Sequence, residues 1–105
     1  MMAVNSKATN FFSLIQQEWV LVDFWAAWCT PCQKTTPILL ACEKEIPAVH
    51  VVRVNVDEEP TIAEKCQVQG LPTLMIFHNG KPVRRVAGYQ PKERVRAALA
   101  DLNVF

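Results

Sequence analysis

The segment WVLVDFWAAWCTPC, residues 19–32, constrains this chain more than any other part of it. Residues 19–25 form a continuous apolar run, the pattern of a fully buried strand, broken only by Asp23. Residues 28–31 read as a turn, and a helical pattern follows from Cys32 through Ile38, Leu39, Cys42 and Ile46. A lone carboxylate in a hydrophobic strand costs stability unless it is paired or solvated, because desolvation disfavours its charged form. Asp23 therefore needs a reason, and the cysteines that begin six residues later offer one.

The rest of the chain alternates in the same manner. Thr9 or Asn10 can cap a short helix carrying Phe11, Phe12, Leu14 and Ile15. Pro37 lies inside the long helical pattern and should kink it, and Pro47 stops it. In HVVRVNVD, Val52, Val54 and Val56 alternate with Arg53, Asn55 and Asp57, the period of a strand with two different faces. The acidic EEP segment opens a further helix, TIAEKCQV, which ends before Gly70. Residues 74–78 and 83–87 read as antiparallel strands around the Asn79-Gly80 turn, with Pro82 marking an edge. Gly88 breaks the second of them, and Pro91 opens a last amphipathic helix with Val95, Ala98, Leu99 and Leu102 inward. This order predicts one α/β domain over residues 1–105, a mixed central sheet with helices on both faces.

Half of the 105 residues are apolar, enough for an ordinary core, and 11 basic against 10 acidic residues give a formal charge of +1. No block of like charge marks a nucleic-acid or membrane footprint, and no run approaches the roughly 18 apolar residues of a membrane span. With no export signal in its first residues the chain is expected to be cytoplasmic, its thiols mostly reduced. Four cysteines, at 29, 32, 42 and 66, lack the second close pair of a structural zinc site, so no metal is expected. His50 and His78 are expected at the surface. Phe11, Phe12, Trp19 and Phe77 are expected in the core. Cys42, on the apolar helical face, and Cys66, late in its helix, are expected to pack as small hydrophobes. The basic cluster of Arg84, Arg85, Lys92, Arg94 and Arg96 reads as a solvated face or a weak docking patch.

The chemistry gathers at Cys29 and Cys32. A cysteine at the tip of a helix faces unpaired backbone N–H groups and the positive end of the dipole, which lowers its thiol pKa. A second cysteine one turn on can reach it and close a small ring, which suits disulfide exchange. Asp23 would lie beneath the pair, where a buried acid with a raised pKa can take the proton that Cys32 must lose before it attacks. The competing reading makes Asp23 a structural acid paired with Arg53.

DFWAAWCTPC, the internal Pro37, VNVDEEP, GLPTLMIF, HNG and VAGY together resemble the thioredoxin family over about residues 12–102. The resemblance implies the thioredoxin fold and protein disulfide reduction, with Cys29 attacking, Cys32 resolving, Asp23 the buried acid, and Trp25 and Trp28 packed around them. It implies a cis peptide at Leu71-Pro72, whose exposed backbone would pair with a substrate strand. Trp28, Pro31, Leu71, Pro72 and Gly88 would form a shallow apolar docking surface for disulfide-containing proteins. It further implies recharging by a flavin-containing thioredoxin reductase, with no cofactor bound to this monomeric chain. Oxidase or isomerase chemistry, or a role as a binding module, are the alternatives.

Two departures from the family pattern matter. Thr30-Pro31 stands where the usual member has Gly-Pro, which adds a hydroxyl within reach of a bond to the Cys29 sulfur. Arg53 stands where a lysine is usual near the buried acid, and its permanent charge is expected to hold Asp23 ionised to higher proton activity. The short polar segment before Phe11 leaves the family's first strand minimal.

Overall fold

A computed structural model describes residues 4–5, as backbone, and residues 10–105. The elements run β1 (Val4–Asn5), α1 (Phe11–Leu14), β2 (Trp19–Trp25), α2 (Thr30–Glu45), β3 (Val49–Asn55), α3 (Pro60–Lys65), β4 (Thr73–His78), β5 (Lys81–Ala87) and α4 (Lys92–Asp101). The sheet order is β1-β3-β2-β4-β5, with β1, β3 and β2 parallel and β4 and β5 antiparallel to their neighbours. The apolar run of β2 is explained by its place: it is hydrogen-bonded on both sides and covered on both faces.

Alternation along the strands sorts the core into two layers. Leu21, Val51 and Ile76 pack under α2 and α4 against Leu39, Cys42, Ile46, Val95 and Leu99. Val22, Phe24, Val52, Val54 and Met75 pack on the other face against Phe11, Ile15 and Ile62 of the α1 and α3 side. Each fully buried side chain of this size contributes about 2 kcal/mol, so both layers are needed to hold the sheet. Asp23 and Arg53 share the parity of Leu21 and Val51, which puts both under α2, and they lie directly opposite each other across β2 and β3.

Local signals explain most boundaries. Asn79 and Gly80 have φ of 51° and 87°, as the tight turn between β4 and β5 requires. A register shift between Ile76 and Phe77 lets Pro82 sit on the edge strand opposite Phe77 without a lost ladder bond being costly. Pro91 takes the N-cap position of α4.

Several expectations need correction. The long helix begins at Thr30, two residues before Cys32, because Cys29 caps it and Pro31 is tolerated in a first turn whose N–H groups have no helical partner. Asn10 occupies the N-cap of α1 without a side-chain cap bond, and Thr9 lies outside the described residues. Phe12 is 65% exposed, since a four-residue helix turns only Phe11 and Ile15 inward. Trp19 is partly buried, its ring stacked on His78 with centroids 4.0 Å apart. Part of the basic cluster serves the fold: Lys92 and Arg96 both pair with Glu45, tying α4 to α2, and Arg84 approaches Asp101.

Candidate active site

Cys29 ends the loop after β2 as the N-cap of the 16-residue α2, with its extended backbone at φ −93° and ψ 106°. Its sulfur accepts the backbone N–H of Cys32 at 3.2 Å, taking the role that a serine or aspartate oxygen plays in an ordinary cap. Pro31 contributes no N–H, so Cys32 supplies the donor that reaches the sulfur. A hydrogen bond to sulfur stabilises the thiolate over the thiol, and the helix dipole acts in the same direction. The two cysteines form a disulfide with Cα atoms 5.3 Å apart. Cys29 retains 5% exposure and Cys32 1%, so Cys29 is the more open residue of the two. Thr30 is exposed, and among the described residues its hydroxyl makes no bond to the Cys29 sulfur.

Asp23 is fully buried. One of its oxygens accepts Arg53 Nε–H at 3.3 Å, and the other has no partner among the described residues. Burial raises its carboxyl from an ordinary 3.8 to about 6, with the Arg53 charge and hydrogen bond pulling the other way. Asp23 is thus paired with Arg53 and still only half satisfied. Arg53 is itself held in place, its guanidinium 4.3 Å from the centre of the Trp25 ring and its Nη2 donating to Thr36 Oγ1 at 3.1 Å. The Thr36 hydroxyl in turn donates to the Cys32 carbonyl at 3.3 Å. A continuous polar chain therefore links the buried acid to the first turn that carries the inner cysteine.

Sequence reasoning did not single out Thr36, although its position four residues after Cys32 puts it on the same helix face. It also passed over Asp57, which accepts the Trp28 indole N–H at 2.8 Å and pins a ring that is 70% exposed. Asn55 shapes that loop by accepting the N–H groups of Asp57 and Glu58.

The Leu71-Pro72 peptide is cis. Of the five residues expected to form a docking surface, Trp28 and Pro31 are exposed and Leu71 and Gly88 partly so, whereas Pro72 is buried. Its carbonyl accepts Gly88 N–H at 2.8 Å, which fastens the loop to the end of β5. Among the described residues the backbone groups of Leu71 make no backbone hydrogen bond. Leu71 packs beside Cys29, Cys32 and Trp25.

The other cysteines stand apart. Cys42 is fully buried in the α2 and α4 layer, and Cys66 is partly exposed on the opposite face of the sheet. The four sulfurs therefore do not converge on one centre, and no group of three or more His, Cys, Asp or Glu among the described residues is arranged to hold a metal.

Comparison with known proteins gives the same picture. The thioredoxin family model matches residues 2–101. The chain is 45% identical over 95 residues to the thioredoxin of Alicyclobacillus acidocaldarius subsp. acidocaldarius, covering 89% of this chain and 90% of the relative. It is 44% identical over 86 residues to the thioredoxin of Chlamydia caviae, covering 82% and 84%. Among solved structures it is similar to a mutant thioredoxin from Halobacterium salinarum, with TM-score 0.90, 28% identity and coverage of 94% and 88%. It is also similar to the oxidised form of mitochondrial thioredoxin 3 from Saccharomyces cerevisiae, with TM-score 0.87, 30% identity and coverage of 94% of each chain. Likeness over so much of its length, with a disulfide at the tip of α2, leads to one conclusion: this chain belongs to the thioredoxin family and is a thiol–disulfide reductase.

Proposed function

We propose that Cys29 is the attacking group, Cys32 the resolving one and Asp23 the proton acceptor. In the reduced protein the Cys29 thiolate attacks one sulfur of a substrate disulfide, forming a mixed disulfide and releasing the first substrate thiolate. Cys32 then gives its proton to Asp23, directly or through water, and its sulfur attacks Cys29. The Cys29–Cys32 bond forms, the second substrate thiolate leaves, and two electrons have passed to the substrate. A carboxyl with a pKa of about 6 is mostly ionised at neutral pH and so is ready to accept.

The observation that carries this reading is the Cys32 N–H held against the Cys29 sulfur at the cap of α2. Trp28, Pro31, Leu71 and Gly88 form the substrate surface, and Pro72 shapes it from beneath. The unpaired backbone of Leu71 supports docking of an extended substrate segment by strand addition. Substrates are proteins with accessible disulfides, and recharging falls to a thioredoxin reductase. The redox centre is the cysteine pair itself.

Alkylation of the reduced protein as a function of pH tests the assignment. Cys29 is expected to react with an apparent pKa below the roughly 8.5 of an ordinary thiol, and Cys32→Ser is expected to accumulate a mixed disulfide through Cys29. A Cys29 titrating at or above the ordinary value, or a trapped adduct on another cysteine, contradicts it.

A further inference from the structure

On the face of the sheet away from α2, a cavity of about 420 Å³ opens between α1, α3 and the β4–β5 hairpin. It falls within the roughly 300–1,000 Å³ range of small-molecule sites. Its walls are apolar, with Phe11, Ile62, Met75 and Phe77 among them, and the exposed Phe12 ring continues the surface outward. The cavity is remote from the cysteine pair: Phe77 pairs with Val20 at the opening of β2, whereas Cys29 follows that strand's far end. The redox reaction leaves it unused.

Its charge is one-sided. Lys65 and Arg85 line it, and among the described residues no acidic side chain does. Among the described residues neither cation has a carboxylate within ion-pair distance, although carboxylates neutralise Arg53, Lys92 and Arg96 elsewhere. The Arg85 guanidinium is anchored by donating to the carbonyls of Cys66 and Gln67, which fixes its positive charge at the cavity's edge. An apolar hollow with cations and no anion complements a molecule that has an apolar body and one negative end. We infer that this cavity binds a small amphiphile consisting of an acyl tail and a carboxylate head, the tail among the aromatic rings and the head between Lys65 and Arg85.

Titrating the oxidised full-length protein with decanoate below its micelle-forming concentration, followed by amide NMR, tests the inference. Saturable shifts are expected at Ile62, Cys66, Gln67 and Phe77, with decyltrimethylammonium binding about tenfold more weakly and acetate producing no shift. The double substitution Lys65→Ala, Arg85→Gln is expected to weaken decanoate about fivefold while insulin reduction, which reports an intact fold, is unchanged. Because Cys66 lines the cavity, decanoate should also slow its alkylation by N-ethylmaleimide in the same concentration range. Shifts that do not saturate, shifts scattered outside the cavity, or equal binding of the cationic surfactant would overturn the proposal.

Discussion

Two carboxylates are buried among the described residues, and they have different neighbours. Asp23 is fully buried and Glu43 4% exposed, and each has one oxygen without a partner among the described residues. Their satisfied oxygens differ. That of Glu43 accepts the Val51 backbone N–H at 2.8 Å, a neutral donor fixed in β3. That of Asp23 meets a guanidinium linked through Thr36 to the Cys32 carbonyl. Glu43 lies near the other end of α2, roughly 16 Å along the helix axis from Cys32. The same side-chain chemistry therefore completes a strand in one place and, in the other, meets a cation beside the redox pair, where we propose it takes a proton. The two are buried alike and differ in their neighbours.

The largest expected difference is in stability against pH. With its folded carboxyl at about 6 and its ordinary value at 3.8, Asp23 binds a proton more tightly in the native state than in the unfolded chain. The stability lent by that proton is complete below about pH 3.8 and is lost as pH rises to about 6. Above that, ionised Asp23 costs about 3 kcal/mol, so Asp23→Asn is expected to stabilise the protein by up to that amount at about pH 8 and by little at about pH 4. Denaturant unfolding at the two pH values measures it. An equal effect at both would remove the special status of Asp23.

Glu43→Ala should act with the opposite sign. It leaves the Val51 N–H buried and unpaired, at an expected cost of about 2 kcal/mol, while the rate of disulfide reduction stays at the wild-type value. Glu43→Gln, which keeps an acceptor, should recover most of the loss. A large fall in reductase rate for either variant at full folding would make the two acids alike. Smaller again is Arg53→Lys, which loses the fork and the flat stack on Trp25. It is expected to raise the Asp23 pKa by about half a unit, less than about 1 kcal/mol, as read from the carboxyl carbon by NMR. An unchanged value would rule the coupling out. Smallest is Thr36→Val, expected to shift the same pKa by a few tenths of a unit while Thr36→Ser restores it. If Val and Ser behave alike, the hydroxyl is not a link.

Much of this arrangement was legible in the sequence, and the physical reasons are specific. The run of residues 19–25 announced a central strand because a strand covered on both faces needs apolar residues at every position, and that made Asp23 conspicuous. The alternation in HVVRVN placed Arg53 on a distinct face, and its pairing with Asp23 stood as the competing reading of that acid. Pro31 carried an unused signal that the helix begins at Thr30, since proline is favoured in a first turn. Glu43 and Asp57 could not be read in this way. Each matters through a partner supplied by another element, Val51 of β3 and the Trp28 ring, and a polar residue on a helix or after a strand looks the same with or without one. The cavity beside Cys66 had no sequence signal either, because its walls come from α1, α3 and the β4–β5 hairpin, segments far apart in the chain.

The most direct test of the central claim is the single-turnover rate at which Cys32 resolves a preformed mixed disulfide on Cys29, measured across pH for the wild type and Asp23→Asn. The wild-type rate should rise through about pH 6 as Asp23 ionises, and the variant should lack that rise and be about a hundredfold slower at neutral pH. Coincident profiles for the two proteins would contradict the assignment of Asp23 as the acceptor of the Cys32 proton.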